Sequence, residues 1–346
     1  MIIGICGLGF SGSGAVLDLL HEYDDVDGFS ECEMSICYYP DGIEDLDYHL
    51  NTCYSRYMSS DAAIYSFEKM IRARFGHNKG LRQPVYAKKI MDLTRQYISD
   101  ISQIEWKGSW GYRDYNDGPL KIFINCNILQ RISLLIHKVF NKNIQLAPLK
   151  TMRLSILPED FDIRTKRYII DVLKSIGYSD NKKRFVVDQL FSGDNPEKSF
   201  KYFDNPYAII VKRDPRDTYL LAKNMVKVYA GWIPTDDVSQ FIEYYRRIYG
   251  NIRYSNLKRV LIIQYEDLIY KYNDTVKMIE AFCGIHLHTR EKKYFNPEYS
   301  RRYTQLIKNY PKDKEAIQQI ERELQQYIYQ FPKEKERIKK TGRIIV

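Results

Sequence analysis

The sequence predicts an α/β protein: an open parallel sheet of about five strands, helices on both faces, and a helical insertion. The chain opens with an apolar run, residues 1–6, which leads through a glycine- and serine-rich loop into a helical pattern. Later apolar runs are also followed by helical patterns. Strands that are apolar throughout are typical of a parallel sheet covered on both faces, because a strand with one solvated face alternates polar and apolar residues.

The predicted strands are short apolar segments with little polar alternation. They span residues 1–6, 26–29, 184–188, 207–212 and 259–264. After the first strand, Val16, Leu19, Leu20 and Tyr23 fall on one face of a helix, as expected of a helix packed on a sheet. Near the end, residues 313–331 place apolar side chains on one helical stripe, which favours core packing over a partner surface.

Residues 43–145 are predicted to be mostly helical, with helices at 61–76, 85–104 and 119–141. The aromatic-rich segment 106–119 is predicted to interrupt them as a loop. The chain has no internal repeat and no long linker. We therefore expect one domain, residues 1–346, with a helical insertion at about 43–150.

Composition is that of a globular protein, with 44% hydrophobic and 28% charged residues. The net charge of +9 suggests an anionic ligand or a solvated basic surface, and no zinc-finger or RNA-binding motif points to nucleic acid. The six cysteines form no Cys-x-x-Cys pair and are expected to be reduced. No signal peptide and no membrane span are recognised, so we expect a cytoplasmic protein.

The loop at residues 7–14 is the clearest functional motif. A glycine-rich turn between a buried strand and a helix directs free N–H groups at one point, where an anion is favoured. A Walker A loop counted from Gly7 requires Lys at Ser13 and Ser or Thr at Gly14, so a standard ATPase or kinase is disfavoured. Gly7, Gly9 and Gly12 match dinucleotide-binding spacing, but no clear acidic residue ends a second strand.

A second anion-binding motif follows the strand at 207–212. Arg213 comes at the strand end, Pro215 suits a first helical turn, and Arg216 follows. Two arginines in this position suit a second phosphate. An ion pair between Arg216 and Asp217 is the simpler structural alternative.

Together these segments resemble the sulfotransferases that use 3′-phosphoadenosine 5′-phosphosulfate (PAPS), of the bacterial carbohydrate type. In family order, the chain has the Gly/Ser loop, the R-x-P-[RK]-D turn at 213–217 and a strand ending in Y-E-D-L at 265–268, with a looser similarity at 295–302. The resemblance implies a P-loop-like fold and PAPS bound without metal. The donor-binding residues it implies are Gly9, Phe10, Ser11, Gly12, Ser13, Gly14, Arg213, Arg216 and Arg301.

Two positions depart from the family pattern. Phe10 stands where the family usually has Lys or Arg, and Leu221 stands where a serine normally assists the 3′-phosphate. Either another basic residue fills the gap or turnover is weak or lost. The candidates for that basic residue are Lys88, Lys89, Lys150 and Arg301.

Transfer to a hydroxyl requires a base near the acceptor. The resemblance implies a carboxylate after the second strand, where Glu33 fits first and Glu31 second. Asp188 is the third candidate, because strand carboxyl ends face the ligand in open α/β sheets.

The predicted function is transfer of a sulfuryl group from PAPS to a hydroxyl of a carbohydrate or surface-polymer precursor. We expect the insertion to form the acceptor pocket, with aromatic rings that either stack on a sugar or pack on the surface: Trp106, Trp110, Tyr112 and Tyr115. The alternatives are an atypical P-loop kinase and a nucleotide- or glycan-binding protein that has lost catalysis.

Overall fold

The computed structural model describes residues 1–56, 58–76, 85–179, 181, 183–225, 230–252, 254, 258–285 and 294–332. The chain divides into two compact units. The first comprises Met1–Ser35 and Ile176–Val346, and the second is Ile36–Ser175. The second unit is therefore wider at both ends than the insertion expected at 43–150.

The strands agree with the sequence prediction in the first unit. In chain order, the strands are β1 (Ile2–Gly7), β2 (Val26–Phe29), β3 (Ile104–Gly108), β4 (Lys150–Leu154), β5 (Arg184–Asp188), β6 (Pro206–Lys212) and β7 (Val260–Gln264). The first unit holds a five-stranded sheet in the order β2-β5-β1-β6-β7, and every neighbouring pair is parallel. The predicted open parallel α/β fold is confirmed.

The α-helices are α1 (Ser13–Leu20), α2 (Ile43–Asp47), α3 (Ser59–Phe75), α4 (Val85–Ile101), α5 (Gly111–Asp117), α6 (Pro119–Ile122), α7 (Gln130–Phe140), α8 (Phe161–Ser175), α9 (Glu197–Phe200), α10 (Pro215–Asn224), α11 (Val238–Gly250), α12 (Tyr265–Tyr270), α13 (Tyr272–Cys283), α14 (Pro297–Ser300) and α15 (Lys314–Glu323). Two π-helical segments are Tyr48–Thr52 and Phe123–Leu129. Short 3-10 turns are Arg301–Tyr303, Leu306–Lys308, Pro311–Asp313 and Gln325–Tyr327.

Two apolar clusters form the core of the first unit. One joins the sheet to α1, α12 and α13, with Ile3, Ile5 and Leu19 fully buried. The other joins α10, α11 and α15 around Phe241 and Ile320. The predicted helix at 313–331 ends at Glu323, and a 3-10 turn follows.

The second unit is mainly helical and is built around α3, α4 and α8. In its core, Tyr97 stacks on Tyr168 with ring centroids 4.5 Å apart, and Phe67 meets both rings edge-on. The prediction of a loop at 106–119 was wrong, since β3 and α5 occupy most of that segment. Strand β3 pairs antiparallel with β4, and such a pairing between distant segments leaves no local pattern.

The helical stretch Pro119–Phe140 has 22 residues and is long and apolar enough to span a membrane by those criteria alone. Only 6% of its most apolar window is buried. From the sequence, no segment was expected to meet these criteria. The exposure of this stretch, rather than its length, separates it from an ordinary core helix.

Candidate functional site

The glycine-rich loop and the arginine turn meet where the sheet reverses its strand order. Strands β1 and β6 are neighbours, with Gly7 paired to Val211, so their carboxyl ends open at the same edge. From β1 the chain proceeds through α1 to β2 on one side, and from β6 through α10 to β7 on the other. Such a switch point is where ligands bind in open α/β sheets.

The loop depends on glycine at two places. Gly12 has φ of +87°, and a Cβ there would overlap the ring of Tyr265. Gly9 lies directly under the indole of Trp232, which a Cβ would penetrate. Phe10 also adopts a positive φ of 63°, which is unfavourable for a residue with a side chain. The loop is therefore a shaped backbone held closely by neighbouring aromatic rings.

The beginning of α1 presents unpaired donors to the loop. The first N–H groups of a helix have no intrahelical acceptor. Within the described residues, the N–H groups of Ser13 and Gly14 donate to no other group. Ser11 Oγ is buried and also has no hydrogen-bond partner there. This set of donors beside a helix N-terminus favours an anion.

Gln189 holds the loop from the side of β5, a role that the sequence did not suggest. Its Nε2 donates to Ser13 Oγ at 3.1 Å, and its Oε1 lies 3.4 Å from the N–H of Gly7. Its backbone has a positive φ of 48°. A polar residue directly after a buried strand was the available signal.

Arg213 connects the second motif to the loop. Its side chain is only 5% exposed and donates from Nη1 to the carbonyl oxygen of Phe10 at 3.2 Å and from Nη2 to that of Tyr303. The guanidinium lies 4.4 Å from the ring centroid of Tyr265. Its Nε is buried without a partner among the described residues. Arg213 therefore contacts the backbone of the loop, and its role in binding a phosphate stays a prediction.

The third motif, at 265–268, packs against both the loop and Arg213. Tyr265 packs against Gly12 and under Arg213, and its hydroxyl lies 3.4 Å from the carbonyl oxygen of Ser300. Glu266 is fully buried and accepts from the N–H of Asp214 at 3.0 Å. Burial, with Asp214 nearby, raises the pKa of Glu266 to about 7. Through these contacts the motif holds the loop and the arginine turn in place.

Arg216 has other partners than a ligand. Its Nε and Nη2 donate to the two oxygens of Asp214 at 2.9 and 2.7 Å, and Nη1 donates to Glu321 at 2.6 Å. Asp217 instead accepts from the N–H groups of Gln305 and Leu306. The ion pair considered for Arg216 thus exists, but with Asp214.

Arg301 lies on the segment that packs against the site. It pairs with Glu298 at 3.3 Å and lies 5.6 Å from the ring centroid of Tyr270, with Nε unpartnered among the described residues. Lys88, Lys89 and Lys150 belong to the second unit. Lys150 is paired there with Asp114 at 2.9 Å and Asp117 at 3.1 Å.

The three candidate carboxylates differ in burial. Glu31 and Glu33 are exposed, whereas Asp188 ends β5 beside β1, with Oδ1 buried and unpartnered in the described part of the chain. Burial, and then the charge of Glu33, raises the pKa of Asp188 to about 6. A carboxylate with that pKa suits proton transfer near neutral pH, so the geometry favours Asp188 over the two glutamates.

The two departures from the family pattern pack into one apolar cluster. Phe10 and Leu221 both lie against the cluster of α10, α11 and α15, and Phe10 also stacks on Trp232, with centroids 6.3 Å apart. Phe10 and Leu221, which stand where the family has a basic residue and a serine, therefore contribute to apolar packing. No sequence signal pointed to Trp232.

The second unit has a cavity of its own, of about 290 Å³. Its lining includes Asp41, Asp45, His49, Arg56, Trp110 and Tyr112. Trp110 stacks on Tyr112 with centroids 4.8 Å apart, and His49 Nδ1 lies 2.9 Å from Ser59 Oγ. Trp106 lies on β3, and the side chain of Tyr115 is outside the described residues.

Comparison of the chain with protein-family models and with curated proteins finds no match.

Proposed function

We propose that the chain is a PAPS-dependent sulfotransferase acting on a hydroxyl. The observation that carries the proposal is the meeting of three motifs, far apart in sequence, around Gly12, Arg213 and Tyr265. Independent surface motifs would have no reason to share one strand edge.

The residues at this edge fit an anionic donor. Ser11 Oγ, Arg213 Nε and the first N–H groups of α1 are donors that lack partners within the described residues. Buried donors without partners are costly, so a bound anion would relieve that cost. Ser11, Ser13, Gly14 and Arg213 would hold the phosphate groups of PAPS, which supplies the sulfuryl group when bound.

The chain's own residues would then position the donor and stabilise the charge that develops during transfer. The α1 N-terminus and the loop donors stabilise negative charge as it develops, an arrangement that needs no reorganisation during reaction. Asp188, with its pKa near 6, is ionised at neutral pH and can accept the proton of an acceptor hydroxyl. The indole of Trp232 lies over Gly9 and covers that part of the loop.

A carbohydrate is the proposed acceptor class. The cavity of the second unit combines the stacked rings of Trp110 and Tyr112 with Asp45, His49 and Arg56. Aromatic faces pack on the apolar face of a sugar ring, and charged groups bind its hydroxyls.

The proposal is tested by ligand-induced stabilisation. Adenosine 3′,5′-bisphosphate without metal should raise the unfolding temperature, whereas ATP with Mg²⁺ should not. At a ligand concentration 100 times the Kd, binding adds about 2.7 kcal/mol to the free energy of unfolding. Stabilisation by ATP–Mg²⁺ alone would instead support an atypical kinase.

A nucleotide-binding protein without transfer activity is a second candidate. It is favoured by Phe10, whose side chain packs on Trp232 at the position where the family carries a base. This candidate predicts bisphosphate binding and no transfer of labelled sulfate from PAPS to any glycan in a mixed acceptor panel. Detection of a sulfated product by mass spectrometry would contradict it.

A further inference from the structure

The segment 119–149 of the second unit turns its apolar side chains outward. Leu134 and Leu135, on α7, are 68% and 63% exposed. The further exposed apolar residues of the segment are Leu120, Phe123, Ile124, Ile128, Ile132, Val139, Phe140, Ile144, Leu146 and Leu149. Isolated exposed leucines are ordinary, but twelve exposed apolar side chains within one segment of about 30 residues indicate an interaction surface.

Three polar side chains of the same segment are held by hydrogen bonds, whereas most of its other polar side chains are exposed. Asn125 is buried and donates to Asp114 at 2.8 Å, and Gln130 lies 3.4 Å from Ser109 Oγ. Ser133 Oγ accepts from the N–H of Leu146 at 3.1 Å. Asn125 and Gln130 therefore connect the segment to residues 109–114 of the same unit.

The charge of the segment has one sign. Between residues 118 and 158 the sequence contains no Asp or Glu, and its basic residues are Lys121, Arg131, Lys138, Lys142, Lys150 and Arg153. Arg131, Lys138 and Lys142 are exposed among the apolar side chains. Long basic side chains extend their charges to the headgroup level while their stems remain in apolar surroundings.

We propose that residues 119–149 bind in the plane of an anionic lipid bilayer and anchor the protein peripherally. Exposed leucine, isoleucine and phenylalanine beside lysine and arginine, with no acidic residue, is the composition of an interfacial segment. The proposal does not depend on the sulfuryl-transfer reaction.

Two other occupants fit the surface less well. A membrane-spanning helix would place Arg131 near the middle of the bilayer and break the hydrogen bond of Asn125 to Asp114. A second copy of the chain would bring two positive surfaces of the same kind together across a two-fold axis, where like charges repel.

The experiment is co-sedimentation of the full chain with vesicles of phosphatidylcholine, with and without phosphatidylglycerol. The protein should sediment with the anionic vesicles and remain in solution with the neutral ones. Leu134→Ser with Leu135→Ser should lower the partition coefficient at least about a hundredfold. Ile163→Ser removes a side chain on α8 that is 58% exposed, and it should leave binding unchanged.

A second variant tests the attraction between the basic side chains and the anionic lipid. Lys138→Gln with Lys142→Gln should weaken binding to anionic vesicles by about 25-fold, roughly fivefold for each charge. Added salt should reduce the wild-type affinity and affect this variant less.

Three results would overturn the proposal. They are equal binding to neutral and anionic vesicles, retention on vesicles after alkaline carbonate extraction, and a dimer in lipid-free solution that the leucine substitutions convert to monomer. The last is measured by sedimentation velocity. Circular dichroism and the unfolding temperature of each variant establish that lost binding is not lost folding.

Discussion

The two units differ in which groups they leave exposed or without hydrogen-bond partners among the described residues. In the first unit the sheet is apolar and buried, and unpartnered donors such as Ser11 Oγ and Arg213 Nε gather at one strand edge. In the second unit charged groups lie inside, as in the buried pair of Arg113 and Asp61, while apolar side chains line the outside of α7. The first arrangement suits a small anion, and the second suits an extended apolar surface.

The largest expected effect tests the polar interior of the second unit. Arg113→Ala leaves Asp61 charged and buried, since Arg113 donates to both of its oxygens at 2.8 and 3.0 Å. We expect a loss of about 3–5 kcal/mol in the free energy of unfolding, measured by urea denaturation. Arg95→Ala removes an exposed partner of Asp92 and should cost under about 0.5 kcal/mol. Equal losses in the two variants would remove this contrast.

The next effect tests the anion edge of the first unit. Arg213→Ala should weaken adenosine 3′,5′-bisphosphate about a hundredfold and adenosine 5′-phosphate much less, because one charged hydrogen-bonding pair is lost. Isothermal titration calorimetry measures both Kd values. Arg247→Ala, on the exposed face of α11, is the matched control. Similar losses for both nucleotides would place Arg213 away from the 3′-phosphate.

Two glycines of the same loop, Gly12 and Gly14, differ in what an added side chain would meet. Gly12→Ala should cost about 2–3 kcal/mol of unfolding free energy, because φ is +87° and the new Cβ meets Tyr265. Gly14→Ala meets no atom within 4 Å and should stabilise α1 by up to about 1 kcal/mol. Thermal denaturation of both variants measures these changes in stability. If Gly12→Ala were as stable as wild type, the described loop conformation would be refuted.

The smallest effect concerns the pH dependence of stability. The folded state raises the pKa of Asp188 from 3.8 to about 6, so it holds a proton that the unfolded chain releases between those values. The contribution of Asp188 is therefore most favourable at low pH and is lost as pH rises through 6. The free energy of unfolding of Asp188→Asn, relative to that of wild type, should be about 1–2 kcal/mol higher at pH 7.5 than at pH 4. This range allows for partial solvent screening of the carboxylate.

The control for this measurement is Glu31→Gln, which replaces an exposed carboxylate by an amide in the same way. Glu266 and Asp217, whose pKa values are also raised, are present in both proteins and cancel in the comparison. If the difference in unfolding free energy between Asp188→Asn and wild type did not change with pH, the Asp188 carboxyl group would be solvated.

The sequence was most informative where local pattern and burial agree. Each strand of the parallel sheet was placed within one residue, because an apolar run bounded by polar residues has few other uses. The pairing of β3 with β4 was missed because exposed edge strands carry no such run. The helix around 119–141 was predicted, but its orientation was not, since periodicity does not tell which face meets the protein.

The site was predictable in part for the same reason. The residues of the loop and Arg213 stand in recognisable motifs, whereas Gln189 and Trp232 are ordinary in sequence and act only through their position beside the loop. The partner of Arg216 was mistaken as Asp217, because a hydrogen bond to Asp214 depends on helix-cap geometry. Motifs identify backbone shapes and charges, but not which polar groups already satisfy one another.

The position of β1 in the sheet also sets an order of events during folding. Its neighbours are β5 and β6, so Ile2 pairs with Phe185 and Pro206 and must wait until those residues have been synthesised. The intervening residues Ile36–Ser175 form a compact unit that can fold first. Sheet closure is then a late, non-local and slow step. Until that step the apolar first strand is exposed to aggregation on the ribosome.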